Sequence, residues 1–210
     1  MGRPDIGICG AVLAGGKSSR MGRDKALVQL GGVTLIERAV EKLRQVCAEV
    51  VILGSNPALE TYGPLVPDLH QNCGPLGGIE AVLAYSQFDW NLLLPVDMPF
   101  VPPALLRDWI ARATTRTGIR VAYFEVGERP QQGLLLIRKD AQESIRASIA
   151  RGDYKLLPAI DAAAGAEGLW LERLDGDEAE GWFENINTPD ALKGAELRLA
   201  LGSDGRSGAS

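Results

Sequence analysis

Short apolar runs alternate with amphipathic segments along the first half of the chain. The apolar runs predict buried strands, and the amphipathic segments repeat apolar side chains at helical spacing. The predicted strands are residues 6–13, 50–53 and 91–96, and the predicted helices are residues 35–47, 78–85 and 102–113. Thr34 is a candidate N-cap for the first helix, because Glu37 three residues later would complete a capping box.

The second half continues this mixture with a weaker pattern. Its predicted strands are residues 121–125, 133–138 and 169–174, and its predicted helices are residues 141–150, 154–164 and 189–201. Thr188 is placed to cap the last of these helices. Residues 202–210 are rich in glycine and serine, which predicts a disordered tail. The acidic run at residues 175–180 is interpreted as a solvated loop, since Glu180 stands where a calcium-binding EF-hand needs glycine.

Alternating strands and helices are typical of an α/β fold, a mostly parallel sheet with helices on both faces. We therefore expect a Rossmann-like architecture in a single domain, residues 1–201. Ligands of such sheets bind at the carboxyl ends of the strands. Gly15 and Gly16 follow the first predicted strand, and Asp97 follows the third. We expect these residues to line one crevice.

The composition narrows the class of protein. A chain of 210 residues with 46% hydrophobic and 23% charged residues is typical of a globular protein with a sizeable core. A net charge of −5 disfavours a nucleic-acid-binding protein, which would carry a basic excess. No signal peptide is recognisable and no apolar run reaches the ~20 residues that cross a bilayer, so we expect a cytoplasmic protein without membrane contact. The three cysteines form no CxxC pair, which favours reduced thiols.

The chain has one histidine, His70, in a polar segment before Gly74. A single histidine excludes a multi-histidine metal site, and a Ser-His-Asp mechanism would have to use this residue. We expect His70 to be a solvated loop side chain.

The segment of residues 13–25 reads LAGGKSSRMGRDK and is the most distinctive of the chain. Glycine lets backbone N–H groups approach oxygen atoms closely, so Gly15 and Gly16 predict a turn that binds anions. The segment is not a P-loop, because Ala11 stands where that motif needs its first glycine.

The same segment carries four cations that could bind phosphate groups. Arg20 and Lys25 are the stronger candidates, and Lys17 and Arg23 could equally be solvated. The alternative for Lys25 is a surface ion pair with Asp24, which would contribute little.

Asp97 ends an apolar run and has a proline on either side, at positions 95 and 99. A carboxylate held there could bind Mg²⁺ against nucleotide phosphates, because that ion takes few protein carboxylates and keeps substrate oxygens. On position alone, Asp97 could equally cap the segment that follows.

Four segments resemble the motifs of one family. They are residues 13–25, 74–78 (GPLGG), 95–99 (PVDMP) and 185–189 (NINTP), which resemble nucleotidyltransferases of the molybdenum cofactor guanylyltransferase type in order and spacing. The resemblance covers roughly residues 6–200. Its final motif favours the guanylyl branch of the wider superfamily.

This resemblance implies transfer of GMP from GTP to a molybdopterin-type cofactor with release of pyrophosphate, using Mg²⁺. It also implies a nucleotide-binding half at residues 6–100, an acceptor-binding half at residues 101–201, and transient contact with molybdenum-insertion proteins and apo-molybdoenzymes. The implied catalytic residues are Lys25, Arg20 and Asp97, the last also binding the metal. The implied nucleotide-binding residues are Leu13, Ala14, Gly15, Gly16, Lys25, Asp68, Gly77 and Asp97, and the implied acceptor-binding or metal-assisting residues are Asn185 and Asn187.

Several of these residues have simpler interpretations. Asp68 could be an exposed acid that helps a turn. Gly77 and Gly78 could serve helix packing, and the two asparagines could satisfy turn and cap hydrogen bonds. Some relatives carry an asparagine after the second strand that touches the nucleotide; Gly54 stands there, so Asn56 either compensates or the contact is lost.

Two functions from other branches stay open on the sequence. One is a cytidylyl- or sugar-phosphate nucleotidyltransferase, and the other is a non-catalytic nucleotide-binding protein on the same fold. Residues 129–132 resemble the family segment that faces the second substrate, and this is the weakest assignment.

Overall fold

The computed structural model describes residues 7–14 and 24–204, with side chains to residue 201. Within these ranges the strands are β1 (Ile8–Leu13), β2 (Gln29–Leu30), β3 (Val33–Thr34), β4 (Glu49–Leu53), β5 (Leu65–Val66), β6 (Trp90–Pro95), β7 (Val121–Val126), β8 (Arg129–Arg138) and β9 (Leu169–Leu174). The helices are α1 (Leu35–Arg44), α2 (Pro75–Tyr85), α3 (Pro103–Thr114), α4 (Gln142–Ala150), α5 (Leu156–Ala164), α6 (Asp177–Trp182) and α7 (Pro189–Asp204).

Seven of these strands form a central sheet in the order β5-β4-β1-β6-β8-β7-β9. β1 pairs in parallel with both β4 and β6, and β7 pairs in parallel with β9. β8 is the exception, because it runs antiparallel to β6 and β7. The predicted mostly parallel sheet is confirmed, and the reversed β8 brings its first residues to the carboxyl end of β6.

The sheet is covered on both faces, as predicted. Alternate residues of β1 enter two separate cores, with Val12 in one and Ala11 in the other. The first core contains α1 and α3, where the rings of Trp109 and Phe124 lie 4.3 Å apart. The second core contains α2, α4 and α5. Parallel strands buried on both faces account for the continuous apolar runs in the sequence.

Some elements differ from those predicted. The two-residue strands β2, β3 and β5 have no counterpart in the predicted set, because a two-residue run carries no period. The acidic run was predicted to be a loop, which is wrong for α6, where Ala179 is buried while its acidic neighbours are exposed. The disordered tail was predicted from residue 202, but α7 continues to Asp204.

The predictions about disulfide bonds and membrane-spanning length concern the cysteines and the helices, respectively. Cys9, Cys47 and Cys73 are all buried and unpaired thiols, as predicted. Burial raises the pKa of Cys9 to about 11, so its thiol stays protonated at neutral pH. Among the described residues, the helices all fall short of the length and apolarity required to span a membrane.

The predicted cap of α1 yields a test of local stability. Thr34 Oγ1 accepts a hydrogen bond from the Glu37 backbone N–H at 3.3 Å. Thr34→Ala should therefore lower the free energy of unfolding by about 1 kcal/mol, measured by urea denaturation. Thr34→Ser keeps the hydroxyl and should lose much less; an equal loss in both variants would contradict the capping role.

Candidate nucleotide and metal site

The site lies where β1 and β6 end side by side. Leu13 pairs in register with Pro95, and the Leu13 carbonyl accepts a hydrogen bond from the Val96 N–H at 3.2 Å. Because the two strands are parallel, the segment that follows each one leaves the sheet at the same edge. The approach to Gly15 and the position of Asp97 therefore share one end of the sheet.

Three distant segments meet at Lys25. Its Nζ lies 2.7 Å from Asp97 Oδ2, and it also donates a hydrogen bond to Asn187 Oδ1. The Ile186 N–H donates to the Asp97 carbonyl at 3.0 Å, which ties the segment of residues 185–187 to the end of β6. The side chains of Lys25 and Asp97 are 17% and 19% exposed, so a ligand can reach both. This group is called the lysine–aspartate cluster.

Asp24 has a different role from the one proposed as the alternative. Its Oδ1 accepts from the Ala26 N–H at 2.9 Å and caps the 3₁₀ turn Lys25–Leu27. Its Oδ2 accepts a hydrogen bond from Asn56 Nδ2. The surface ion pair between Asp24 and Lys25 is therefore wrong, and Asp24 instead fixes the backbone that carries Lys25.

A cleft of about 240 Å³ opens between the ends of β1, β4 and β5. Its described lining residues are Ala14, Asp24, Leu53, Gly54, Ser55, Asn56, Leu59, Asp68 and Gln71. Ala14 and Asp68 were predicted to bind nucleotide and lie on this wall. Gly54 and Asn56, which were left open, also line it, with Asn56 hydrogen-bonded to Asp24.

Gly77 explains how α2 approaches the cleft wall. A Cβ on Gly77 would lie 3.0 Å from Asp68 Oδ2 and 3.1 Å from the His70 carbonyl, so glycine allows this contact. Gly78 packs differently, since a Cβ there would lie 3.2 Å from Leu53 Cδ1. Gly77 thus faces the predicted binding residue, and Gly78 fits the packing alternative. Burial raises the pKa of the Asp68 carboxyl.

Lys42 supports the segment after Asp97 from beneath. This lysine of α1 is 6% exposed, and its Nζ donates hydrogen bonds to the carbonyls of Met98 at 3.2 Å and Pro99 at 2.9 Å. Burial, with a smaller contribution from the charge of Arg38, lowers the pKa of Lys42 from 10.5 to about 7. The burial of Lys42 could have been predicted from the helical spacing, because it lies three residues after Ala39 and four before Val46, which are both core residues.

His70 is an exposed loop side chain, as predicted, and it also has a buried partner. It is 55% exposed, but its Nδ1 lies 2.7 Å from Oε2 of Glu80, a carboxylate with no exposure. The sequence signal here was Glu80 itself, the single charged residue in the apolar helix α2.

Some of the predicted site residues are not described by the structure, and others contact the site only in part. Gly15, Gly16 and Arg20 lie outside the described residues, as do Lys17 and Arg23. Asn185 and Asn187 lie on either side of the buried Ile186 in the sequence, and Asn187 contacts Lys25. The start of β8 reaches the site, since a Cβ on Gly133 would lie 3.0 Å from Pro95 Cγ.

The oxygen ligands present are compatible with Mg²⁺. Asp97 supplies a hard carboxylate beside the cation Lys25, and the described residues contain no group of three or more metal-ligating His, Cys, Asp or Glu side chains. A magnesium ion bound with substrate phosphates needs one or two carboxylates rather than a protein cage. The donor set therefore fits a metal that arrives with its nucleotide.

The MobA-like NTP transferase domain matches residues 10–168 of the chain. The chain belongs to this family. The match includes the last four residues of β1, the described cleft residues and Asp97, and it ends before the segment of Asn185 and Asn187.

Relatives of this MobA-like NTP transferase extend the match over most of the chain. A molybdenum cofactor guanylyltransferase of Vibrio atlanticus is 34% identical over 86% of this chain and 91% of its own length. A probable molybdenum cofactor guanylyltransferase of Pelotomaculum thermopropionicum is 32% identical over 94% of this chain and 96% of its own.

Solved structures share the fold. Molybdopterin-guanine dinucleotide biosynthesis protein A from Archaeoglobus fulgidus has a TM-score of 0.73 and 27% identity, and the match covers 92% of this chain and 99% of that one. The 2-C-methyl-D-erythritol 4-phosphate cytidylyltransferase of Thermus thermophilus has a TM-score of 0.69 at 18% identity, covering 93% and 100%. The second likeness concerns the fold alone. The Rossmann-like nucleotidyltransferase architecture is thus confirmed.

The buried Lys42 predicts a pH dependence of stability. Below pH 7 the lysine is protonated in both states, so its burial penalty is present in full. Between pH 7 and 10.5 the unfolded chain binds a proton that the folded chain has released, so stability rises with pH. From pH 7 to 9, the free energy of unfolding of the wild type should gain about 1–3 kcal/mol relative to Lys42→Met.

Urea denaturation at the two pH values measures this gain. Loss of the two hydrogen bonds to Met98 and Pro99 adds an offset that does not change with pH, so the slope isolates the titration. Lys155→Met, which removes an exposed lysine, controls for net charge. A wild-type minus Lys42→Met difference that stays flat over this range would contradict the prediction.

Proposed function

We propose that the protein is a molybdenum cofactor guanylyltransferase, which transfers GMP from GTP to a molybdopterin-type acceptor and releases pyrophosphate. The observation that carries the proposal is the lysine–aspartate cluster beside the cleft. The names and coverage of the relatives support the choice of substrates.

The chemistry suits a site without a histidine base. The attacking group is a phosphate monoester, whose second pKa near ~6 leaves it largely dianionic at neutral pH. The main barrier is repulsion between that phosphate and the triphosphate, so catalysis consists of positioning and electrostatic stabilisation. Lys25, held by Asp97 and Asn187, supplies a fixed cation for the phosphate oxygens. Arg20 and the backbone of Gly15 and Gly16 are proposed to share this role.

The metal is proposed to be Mg²⁺, bound by Asp97 together with nucleotide oxygens. A bound magnesium ion would neutralise charge on the phosphates and on the departing pyrophosphate. The contact of Lys25 with Asp97 fixes the orientation of this carboxylate before a nucleotide arrives.

The cleft is proposed to bind the guanosine part of GTP. When ionised, the carboxylate of Asp68 offers only acceptors, which suits the ring N–H and 2-amino donors of guanine. Ala14 lines the cleft, Gly77 allows α2 to approach Asp68 on its wall, and Leu13 packs near Gly78. Residues 6–100 would then form the nucleotide-binding half of a single domain that extends to residue 201.

The acceptor is proposed to lie on the opposite side of Asp97, against residues 101–201. The hydrogen bond from the Ile186 N–H to the Asp97 carbonyl brings Asn185 and Asn187 to the end of β6, which supports this assignment. The start of β8 adds Gln132, whose Oε1 is buried and has no hydrogen-bond partner among the described residues. A buried unpaired acceptor is compatible with an N–H group of the pterin.

The cellular setting is also proposed. Buried, unpaired thiols are compatible with the reducing cytoplasm. The product would be handed on through transient contacts with molybdenum-insertion proteins and apo-molybdoenzymes.

Substitution of Asp97 tests the catalytic assignment. Asp97→Asn should lower the rate of pyrophosphate release from GTP, molybdopterin and Mg²⁺ by about 10²-fold or more, because it removes the charge that holds the metal and Lys25. Asp153→Asn, at a surface carboxylate that is 67% exposed, is the matched control. Near-wild-type turnover in Asp97→Asn would refute the assignment.

Nucleotide titration separates the remaining alternatives. GTP should bind more tightly than CTP, ATP or UTP, because the cleft presents Asp68 to the base. Preference for CTP would favour the cytidylyl branch. Preference for ATP or UTP would favour another nucleotidyltransferase, such as one that acts on sugar phosphates. Tight binding of GTP without pyrophosphate release in the presence of acceptor would instead indicate a non-catalytic nucleotide-binding protein.

A further inference from the structure

Glu80 is a buried carboxylate that the proposed chemistry does not use. It lies in the second turn of α2 and its side chain has no solvent exposure. Removing a carboxylate from water is unfavourable by several kcal/mol unless charged or hydrogen-bonding partners compensate. An apolar residue would fill this position without that requirement, so the arrangement of its partners indicates what Glu80 does.

Each carboxylate oxygen of Glu80 has a partner from a different segment. Oε2 lies 2.7 Å from His70 Nδ1, and Oε1 lies 3.3 Å from Arg146 Nε on α4. His70 and Arg146 are 55% and 54% exposed, so both reach from the surface to a buried acceptor. A carboxylate oxygen is a hydrogen-bond acceptor, so we assign Nδ1 of His70 as the donor of this pair.

His70 belongs to the loop of residues 67–73, called the cleft loop. Its neighbours Asp68 and Gln71 both line the cleft, whereas His70 turns toward α2. Among the described residues, the bond to Glu80 is the one side-chain hydrogen bond that connects the cleft loop to another element. This contact therefore contributes to the position of the loop.

The same face of α2 holds the cleft loop at a second point. Gly77 and Glu80 are three residues apart and so lie on one side of the helix. Gly77 packs against the Asp68 carboxylate and the His70 carbonyl, and Glu80 binds the His70 ring. Close packing sets the distance between loop and helix, and the hydrogen bond prevents the loop from lifting away.

We propose that Glu80 is a positioning residue for nucleotide binding, acting through His70 to hold Asp68 and Gln71 on the cleft wall. The proposal rests on the assignment of the cleft to the nucleoside of GTP. It concerns binding of the base rather than the transfer step, because Glu80 and His70 are connected to the cleft loop and not to Lys25 or Asp97.

The test uses three variants of the full chain. His70→Ala removes the tie. His70→Asn restores it, because the asparagine Nδ2 occupies nearly the place of the imidazole Nδ1 and also donates. Arg146→Ala is the matched control, since it removes the other partner of Glu80 and leaves the cleft loop attached. Calorimetric titration with GTP, steady-state kinetics and hydrogen exchange of residues 67–73 are measured for each.

His70→Ala should raise the Kd and KM for GTP about tenfold, with kcat changed less than about twofold. Amides of residues 67–73 should exchange faster in this variant, because the loop has lost its anchor. His70→Asn should recover most of the affinity. Arg146→Ala should bind GTP within about twofold of the wild type, even where its melting temperature is lower.

Other outcomes would overturn the proposal. An unchanged Kd for GTP in His70→Ala would do so, and so would an equal loss of affinity in Arg146→Ala, which would indicate general destabilisation. Loss of kcat at unchanged KM would assign His70 to the transfer step instead. If the wild type binds GTP normally, these results concern the positioning role alone; if the wild type binds no nucleoside triphosphate, the proposed function fails as well.

Discussion

The parallel pairing of β1 with β6 is the constraint on which the site depends. In-register pairing of Leu13 with Pro95 places two chain exits side by side, one leading toward Gly15 and one leading to Asp97. The proposed nucleotide site draws on both segments, with Lys25 from the first and Asp97 from the second. Both cores of the molecule press on these two strands, so the position of the site is fixed by the most buried part of the fold.

Most of the charged side chains discussed above have partners within the protein. Lys25 forms an ion pair with Asp97. Asp24 accepts hydrogen bonds at the start of a 3₁₀ turn and from Asn56. Glu80 contacts His70 and Arg146. Lys42 is the contrasting case, because its partners are neutral carbonyls and its burial lowers its pKa to about 7. In the proposed site a polyanionic substrate would meet groups whose orientations are already set, which would reduce the reorganisation required during transfer.

The sequence predicted the parts of the fold that follow from period and capping. β1 and β6 are continuous apolar runs, and Thr34 at the start of α1 is a cap read directly from residue types. Short strands such as β5 could not be predicted, because two residues show no alternation and exist only through pairing with β4. The reversal of β8 was also not predicted, because the predicted strand began at residue 133 and so did not show the two-residue connection after Val126 that makes β7 and β8 antiparallel.

The site shows the same division. Lys25, Asp97 and Asn187 could be assigned from motifs, and they meet in space. The contacts of His70 with Glu80 and of Asp24 with Asn56 could not, because their partners are set by loop paths that no local pattern encodes. The burial of Lys42 and Glu80 could be predicted, because they are charged residues at helix positions whose spacing indicates the core.

The hydrogen bonds of the segment around Ile186 have a consequence for how the protein is made. Lys25 and Asn187 are separated by 162 positions in the chain, and Ile186 is bonded to the backbone of Asp97. During translation the amino-terminal strands leave the ribosome long before Asn187 does. A nascent chain would therefore carry Lys25 and Asp97 without their final partner, Asn187. The lysine–aspartate cluster is complete only once residues 185–187 have been synthesised.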